Sequence, residues 1–142
     1  MQVKIENIKI SPVIKILYDI PLKGKQSRHR TKFIKLLDGR LKEVGEEESE
    51  ILKEHCHLDD DGNPKKTDKG TQWDVKNIEY FANDRNELYR EEFVIDGGNN
   101  QEILNTVKDI LGNLARDFSG QDATIYNELC DAFGVDEDEK DS

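Results

Sequence analysis

The sequence has almost no sulfur chemistry and no long apolar run. Cys56 and Cys130 are its two cysteines. Two thiols cannot build a disulfide framework, so the default setting is reducing and intracellular. No stretch approaches the ~18–20 apolar residues of a membrane span. The opening residues, MQVKIENIKI, alternate apolar positions with Lys, Glu and Asn, which is not the pattern of a secretory signal. A soluble, cytoplasmic protein is the expectation. The catalytic signatures are missing too. There is no Gly-rich phosphate loop, no nucleophile elbow and no HExxH. These absences argue against an enzyme and against a bound cofactor. No internal repeat is present.

What the chain has in abundance is charge. Charged residues are 37% of its 142 residues and hydrophobic residues 35%, with a formal net charge of -10. That balance suits helices with narrow apolar stripes and charged outer faces. The length suits one domain, read here as residues 1–134, followed by an acidic disordered tail over 135–142. The charge is distributed unevenly. Residues 1–44 carry eleven Lys or Arg against four Asp or Glu, and the remainder carries ten against 27. The first part is therefore +7 and the second -17. Such a dipole bears on partners rather than on fold.

Hydrophobic spacing outlines the elements. Val3, Ile5, Ile8 and Ile10 alternate with polar residues, with a slip at Glu6-Asn7, and read as one or two strands. Ser11 and Pro12 then suit the start of a short helix that ends near Ile20-Pro21. A long helix runs from about Lys25–Thr31 to His55. Ile34, Leu37, Leu41, Val44, Glu48 and Ile51 recur in steps of three and four, the spacing of a coiled-coil seam. HLDDDGNPKKTDKG is a loop by composition. A third helix is expected from Asp74 to Arg90, antiparallel to the second. EEFVID reads as a strand and the natural partner of the first. A fourth helix follows over Gln101–Arg116, and a fifth from Ser119 to Gly134. The expected fold is α+β, mainly α: a long antiparallel helical hairpin, further C-terminal helices and a small two-stranded sheet. The seam from Ile34 to Ile51 suits a homodimer as well as an internal hairpin.

Several residue groups carry possible chemistry. LKGKQSRHRTKFIKLL holds Lys23, Lys25, Arg28, Arg30, Lys32 and Lys35 with no acidic residue among them. On a helix these cations repel one another. Phosphate of a nucleic acid, an acidic patch on a protein partner, or the chain's own acidic parts would each relieve that repulsion. The run lacks interleaved aromatics for base stacking, and overall acidity disfavours general nucleic-acid binding. His55, Cys56, His57 and Asp59–Asp61 are metal-ligand types, yet no second Cys/His pair stands at zinc spacing. A helix end followed by a turn accounts for them, and no metal is expected. GGNN before the fourth helix is a weak anion-site pattern. Cys130 falls on an apolar helical stripe and reads as core. Trp73, Tyr80, Tyr89 and Tyr126 are candidate interface anchors; for Trp73 and Tyr89 core or core-edge packing is favoured. The acidic part from residue 45 onward could also imitate the charge of DNA.

Four segments carry a resemblance. IPLKGKQSRHRTKFIKLLDGRLKEV, KEHCHLDDDGNPK, EEFVIDGGNNQEILNTVKDIL and FSGQDATIYNELCDAF resemble a small family of uncharacterised proteins from tailed phages and prophages of low-GC Gram-positive bacteria. The likeness spans Val3 to Phe133. It implies a phage origin and a setting in the host cytoplasm during infection. It brings no catalytic residue, because the family has no assigned activity. The expectation is a non-enzymatic protein that binds a phage structural or host protein, with Lys23, Lys25, Arg28, Arg30, Lys32 and Lys35 as the contact surface. A nucleic-acid-directed protein is the alternative class, through phosphate binding or DNA mimicry, and a small enzyme the third.

Overall fold

A computed structural model describes residues 1–67 and 69–135. Its elements are β1 (Gln2–Glu6), α1 (Asn7–Tyr18), α2 (Gly24–His55), α3 (Ile78–Arg90), β2 (Glu92–Asp96), a 3-10 turn (Gly98–Asn100), α4 (Gln101–Gly112) and α5 (Gly120–Phe133). The fold is α+β and mainly helical. Where the sequence reads as one domain over 1–134, the chain divides into two compact units. One joins residues 1–41 to the chain from Glu92 onward, and the other is Lys42–Glu91. The tail proposed for 135–142 lies outside the described residues from 136 onward. Val135 is half-buried against the hydrophobic core.

In the first unit, β1 and β2 pair antiparallel with Val3 opposite Ile95 and Ile5 opposite Phe93. Period-two alternation buries Val3 and Ile5 and leaves Gln2, Lys4 and Glu6 outside. The strand stops at Glu6. Asn7, Ile10, Val13 and Leu17 are all buried, and their three-and-four spacing is helical. The helix therefore begins four residues before the expected Ser11, at the slip noted in the sequence. Pro12 sits inside α1, where its ring denies the Ile8 carbonyl a helical partner. Burial of the apolar stripe outweighs that loss. Phe33 and Leu37 of α2 complete the core with Leu104, Val107 and Leu111 of α4 and Leu129 and Phe133 of α5. The Phe33 and Phe133 rings meet edge to face at 5.5 Å. Gly134 ends α5 at φ 68°, a left-handed position that glycine adopts without strain. Helix α4 ends at Gly112 rather than Arg116, and Leu114 still packs half-buried beyond it.

The second unit holds the expected helical hairpin. Tyr89 donates to Glu48 at 2.8 Å and His55 meets Asp84 at 2.9 Å, so the later half of α2 runs antiparallel to α3. Val44, Phe81 and Leu88 are buried there. Helix α3 starts at Ile78, not Asp74, because residues 56–76 do something else. Cys56 pairs with Val75, Leu58 with Pro64 and Lys66 with Trp73 in isolated antiparallel bridges. Three residues close a ring: the His57 amide donates to the Asp74 carbonyl, Asp74 to Lys65, and Lys65 to His57. A stretch that reads as loop thus satisfies its own backbone. Asn77 then caps α3 by accepting from the Tyr80 amide at 3.0 Å.

The apolar seam of α2 is used inside the chain. Leu37 and Val44 are buried, Ile34 and Leu41 pack half-buried against the core, and Glu48 accepts from Tyr89. Gly45 lies outside it, with nothing within 4 Å of where a Cβ would stand. Gly45→Ala is expected to stabilise the protein by about 1 kcal/mol from helix propensity alone. Urea unfolding checks this through the transition midpoint at unchanged slope.

Candidate interaction face

The basic run enters α2 at its first turn and the helix sorts it by direction. Phe33 and Leu37 face the core. Arg28, Lys32 and Lys35 follow one another at four and three residues, which puts them on the opposite, exposed side. Lys23 is exposed in the connection before the helix. None of these four has a hydrogen bond or ion pair among the described residues.

The other two members of the run are engaged. Lys25 pairs with Glu102 of α4 at 2.6 Å. The hydrogen bond from Lys25, and then its charge, hold the Glu102 carboxyl below the usual glutamate range; His29 and Lys32 add smaller pulls. Both side chains are well exposed, so solvent screens this pair heavily. Arg30 turns inward. Its guanidinium donates to the carbonyls of Leu17 at 2.7 Å, Ile20 at 2.8 Å and Tyr18 at 3.3 Å. These carbonyls lie at and just beyond the C-terminal end of α1, where a cation also suits the helix dipole; the Leu17 carbonyl also accepts the Ile20 amide. Arg30 is therefore a structural clamp and not part of the outward surface expected from sequence.

His29, which the sequence did not single out, lies buried under the exposed row. Its Nδ1 is 2.8 Å from the Thr106 hydroxyl, and that hydroxyl donates to the Glu102 carbonyl at 3.0 Å. A hydroxyl has one proton, so His29 Nδ1 is the donor to Thr106. The row of cations thus stands on a base pinned to α4.

Of the remaining candidates, Trp73 is placed differently from the sequence reading, and Tyr89 is placed as expected. Trp73 is not core. It is 40% exposed, with Lys66 Nζ 4.9 Å from the ring centre. Tyr80 is 64% exposed. Tyr89 sits at the core edge, and burial followed by its bond to Glu48 pushes its hydroxyl pKa up. Tyr126 stacks on Phe118 at 4.6 Å and donates to the Leu111 carbonyl. Of the ligand types around residue 55, His55 gathers with Glu54 and Asp84 and not with Cys56, His57 or Asp59–Asp61. Asp59 is occupied by the amides of Asp61 and Asn63. Cys56 is buried, and burial, then the nearby Asp74, raises its thiol pKa, the opposite of an activated nucleophile. The Gly97 amide of GGNN donates to the Met1 carbonyl, which removes it from any anion cradle. An open groove of about 490 Å³ lies in the first unit beside β1, α1 and α5, floored by Ile5, Val13 and Leu129. On its rim Lys9 is paired with Glu128.

Among the described residues no helix is long and apolar enough to cross a membrane. No protein-family model, no curated protein and no solved structure matches the chain.

Two arginines two residues apart thus have opposite roles. Arg30→Ala is expected to destabilise the fold by about 2 kcal/mol, the scale of lost charge-assisted hydrogen bonds. Arg28→Ala is expected to change stability by no more than about 0.5 kcal/mol. Parallel denaturant titrations of the two variants measure the difference.

Proposed function

We propose that this chain is a non-enzymatic phage accessory protein that binds another protein in the cytoplasm of an infected bacterium. The observation that carries this reading is the exposed row Arg28, Lys32 and Lys35, with Lys23 beside it. None of its members makes a hydrogen bond or ion pair among the described residues, while Lys25 is paired with Glu102 and Arg30 is held by backbone carbonyls. Like charges at this spacing repel, and an acidic partner surface relieves them. The resemblance of four segments to phage and prophage proteins supports the setting. Virion or tail assembly and inhibition of a host system such as antiphage defence both suit a protein of this kind.

A protein partner fits better than nucleic acid. The cationic row is short, and Glu46, Glu47 and Glu50 follow it along the same helix. A continuing phosphate backbone would be repelled there, whereas a protein presents a bounded acidic patch.

The test is affinity capture of the tagged chain from lysate of phage-infected cells, with and without nuclease, alongside an Arg28→Glu/Lys32→Glu variant. A defined protein that survives nuclease and is lost with the variant is the expected result. Loss of the captured material on nuclease treatment would instead make the row a nucleic-acid site. Capture indifferent to the variant would remove the row as the contact surface.

A further inference from the structure

The small sheet has a free edge. Its strand order is β1–β2, so among the described residues no strand pairs with β1 on the side away from β2. The register shows which backbone groups face that side. The Gly97 amide donates to the Met1 carbonyl, and Gln2 stands opposite Asp96. Met1 and Gly97 are thus a hydrogen-bonded pair, and in an antiparallel ladder such pairs alternate with pairs that exchange no bond. Val3 and Ile5 therefore bond to Ile95 and Phe93, while Gln2 and Lys4 direct their N–H and C=O groups outward. No backbone partner among the described residues takes up those outward groups.

The open groove borders this edge. Gln2, Lys4 and Glu6 line it, and of β2 only Glu92 does, so it lies on the free side of β1. Its floor is Ile5, Val13 and Leu129, and its volume of about 490 Å³ is that of an ordinary ligand site. The rim is mostly acidic. Lys9 is paired with Glu128, which leaves Lys4 against Glu6, Glu92 and Asp131. Glu6 stands directly opposite Glu92 across the two strands, where like charges repel. Neither carboxylate has an ion pair among the described residues.

We propose that β1 accepts an extended peptide of another protein as a third strand, apolar at alternate positions and with Lys or Arg at both ends. Strand addition of this kind takes affinity from main-chain hydrogen bonds and specificity from pockets for alternate side chains. Side chains directly opposite one another on paired strands share a face of the sheet. The peptide residues opposite Val3 and Ile5 therefore turn to the buried face and meet the apolar floor. The residue opposite Glu6 meets the Glu6–Glu92 pair, and a cation there relieves its repulsion. At the other end Gln2 and Asp131 border both the groove and a smaller pocket beside it, so a second cation faces Asp131. The paired length, Gln2 to Glu6, is about 14 Å of extended chain. This surface shares no residue with the basic row. It adds a basic strand as a second kind of partner to the acidic patch expected there.

Selection of displayed random nonapeptides on the purified full chain tests the proposal. Enriched sequences are expected to alternate apolar residues and to carry Lys or Arg four positions apart. A synthetic copy of one is then titrated by fluorescence anisotropy. One set of its alternate amides faces β1 and the other faces away. N-methylation of one set should weaken binding by about tenfold or more, and of the other set by much less. Lys4→Pro removes an outward N–H without touching the ladder to β2, and should weaken binding by a similar factor. Glu6→Lys/Asp131→Lys should lose the basic peptide and bind its form with Glu at both ends. Circular dichroism checks that the variants fold. If either does not, the two methylated peptides decide alone. A library without enrichment, an enriched set that lacks alternation or has acidic ends, or an equal effect of the two methylated sets would overturn the proposal.

Discussion

One guanidinium decides how the first unit is joined. Arg30 reaches back to the end of α1 and takes the Leu17, Tyr18 and Ile20 carbonyls together. The Ile20 amide donates to the Leu17 carbonyl and Pro21 has no amide to continue the ladder, so Arg30 supplies the charged donor at that end. With Arg30 so placed, the rotation of α2 about its own axis is set. Phe33 and Leu37 turn into the core, His29 turns onto Thr106, and Arg28, Lys32 and Lys35 are left outside. The exposed basic face follows from a structural bond made by a neighbouring residue of the same charge.

Among the described residues Arg28, Lys32 and Lys35 make no hydrogen bond or ion pair, and Lys32 only adds a small pull on the Glu102 carboxylate. These cations repel one another along the helix, and their position near the N-terminal end sets them against the dipole. A sequence under selection only for stability would place acidic residues there. The row gains nothing from the helix it stands on. Gly39 has nothing within 4 Å of where a Cβ would stand. By contrast an added Cβ at Gly97 would fall 2.1 Å from the Gln101 side-chain oxygen, and the glutamine would have to move.

The second unit solves a different problem. Residues 56–76 are too polar to form a core, with Asp59 to Asp61 and four lysines among them. They are ordered by backbone hydrogen bonds instead, in the closed ring of His57, Lys65 and Asp74. The hairpin below is held by two polar contacts, Tyr89 to Glu48 and His55 to Asp84, around a few buried apolar residues. Each of those contacts joins α2 to α3, which gives the hairpin its register.

Periodicity is a local property, and what depends on it was legible from the residues alone. The spacing of α2 from Ile34 to Ile51, the alternation of Val3 and Ile5 with its partner Phe93–Ile95, and the stop at Gly134 all appear in the structure as the sequence implies. So does the concentration of positive charge between Lys23 and Lys35. Tertiary contacts decided the rest. Helix α1 begins at Asn7 because Ile10, Val13 and Leu17 find a core together, which outweighs Pro12 and the capping preference of Ser11. Asp74 and Val75 leave α3 because Lys65 and Cys56 offer them backbone and bridge partners. Trp73 stays outside because its chain segment belongs to that ring rather than to the helix. Arg28 and Arg30 have the same chemistry and almost the same place in the chain. A turn of about 200° around the helix separates their directions, and only the neighbours on each side make one a clamp and the other a free cation.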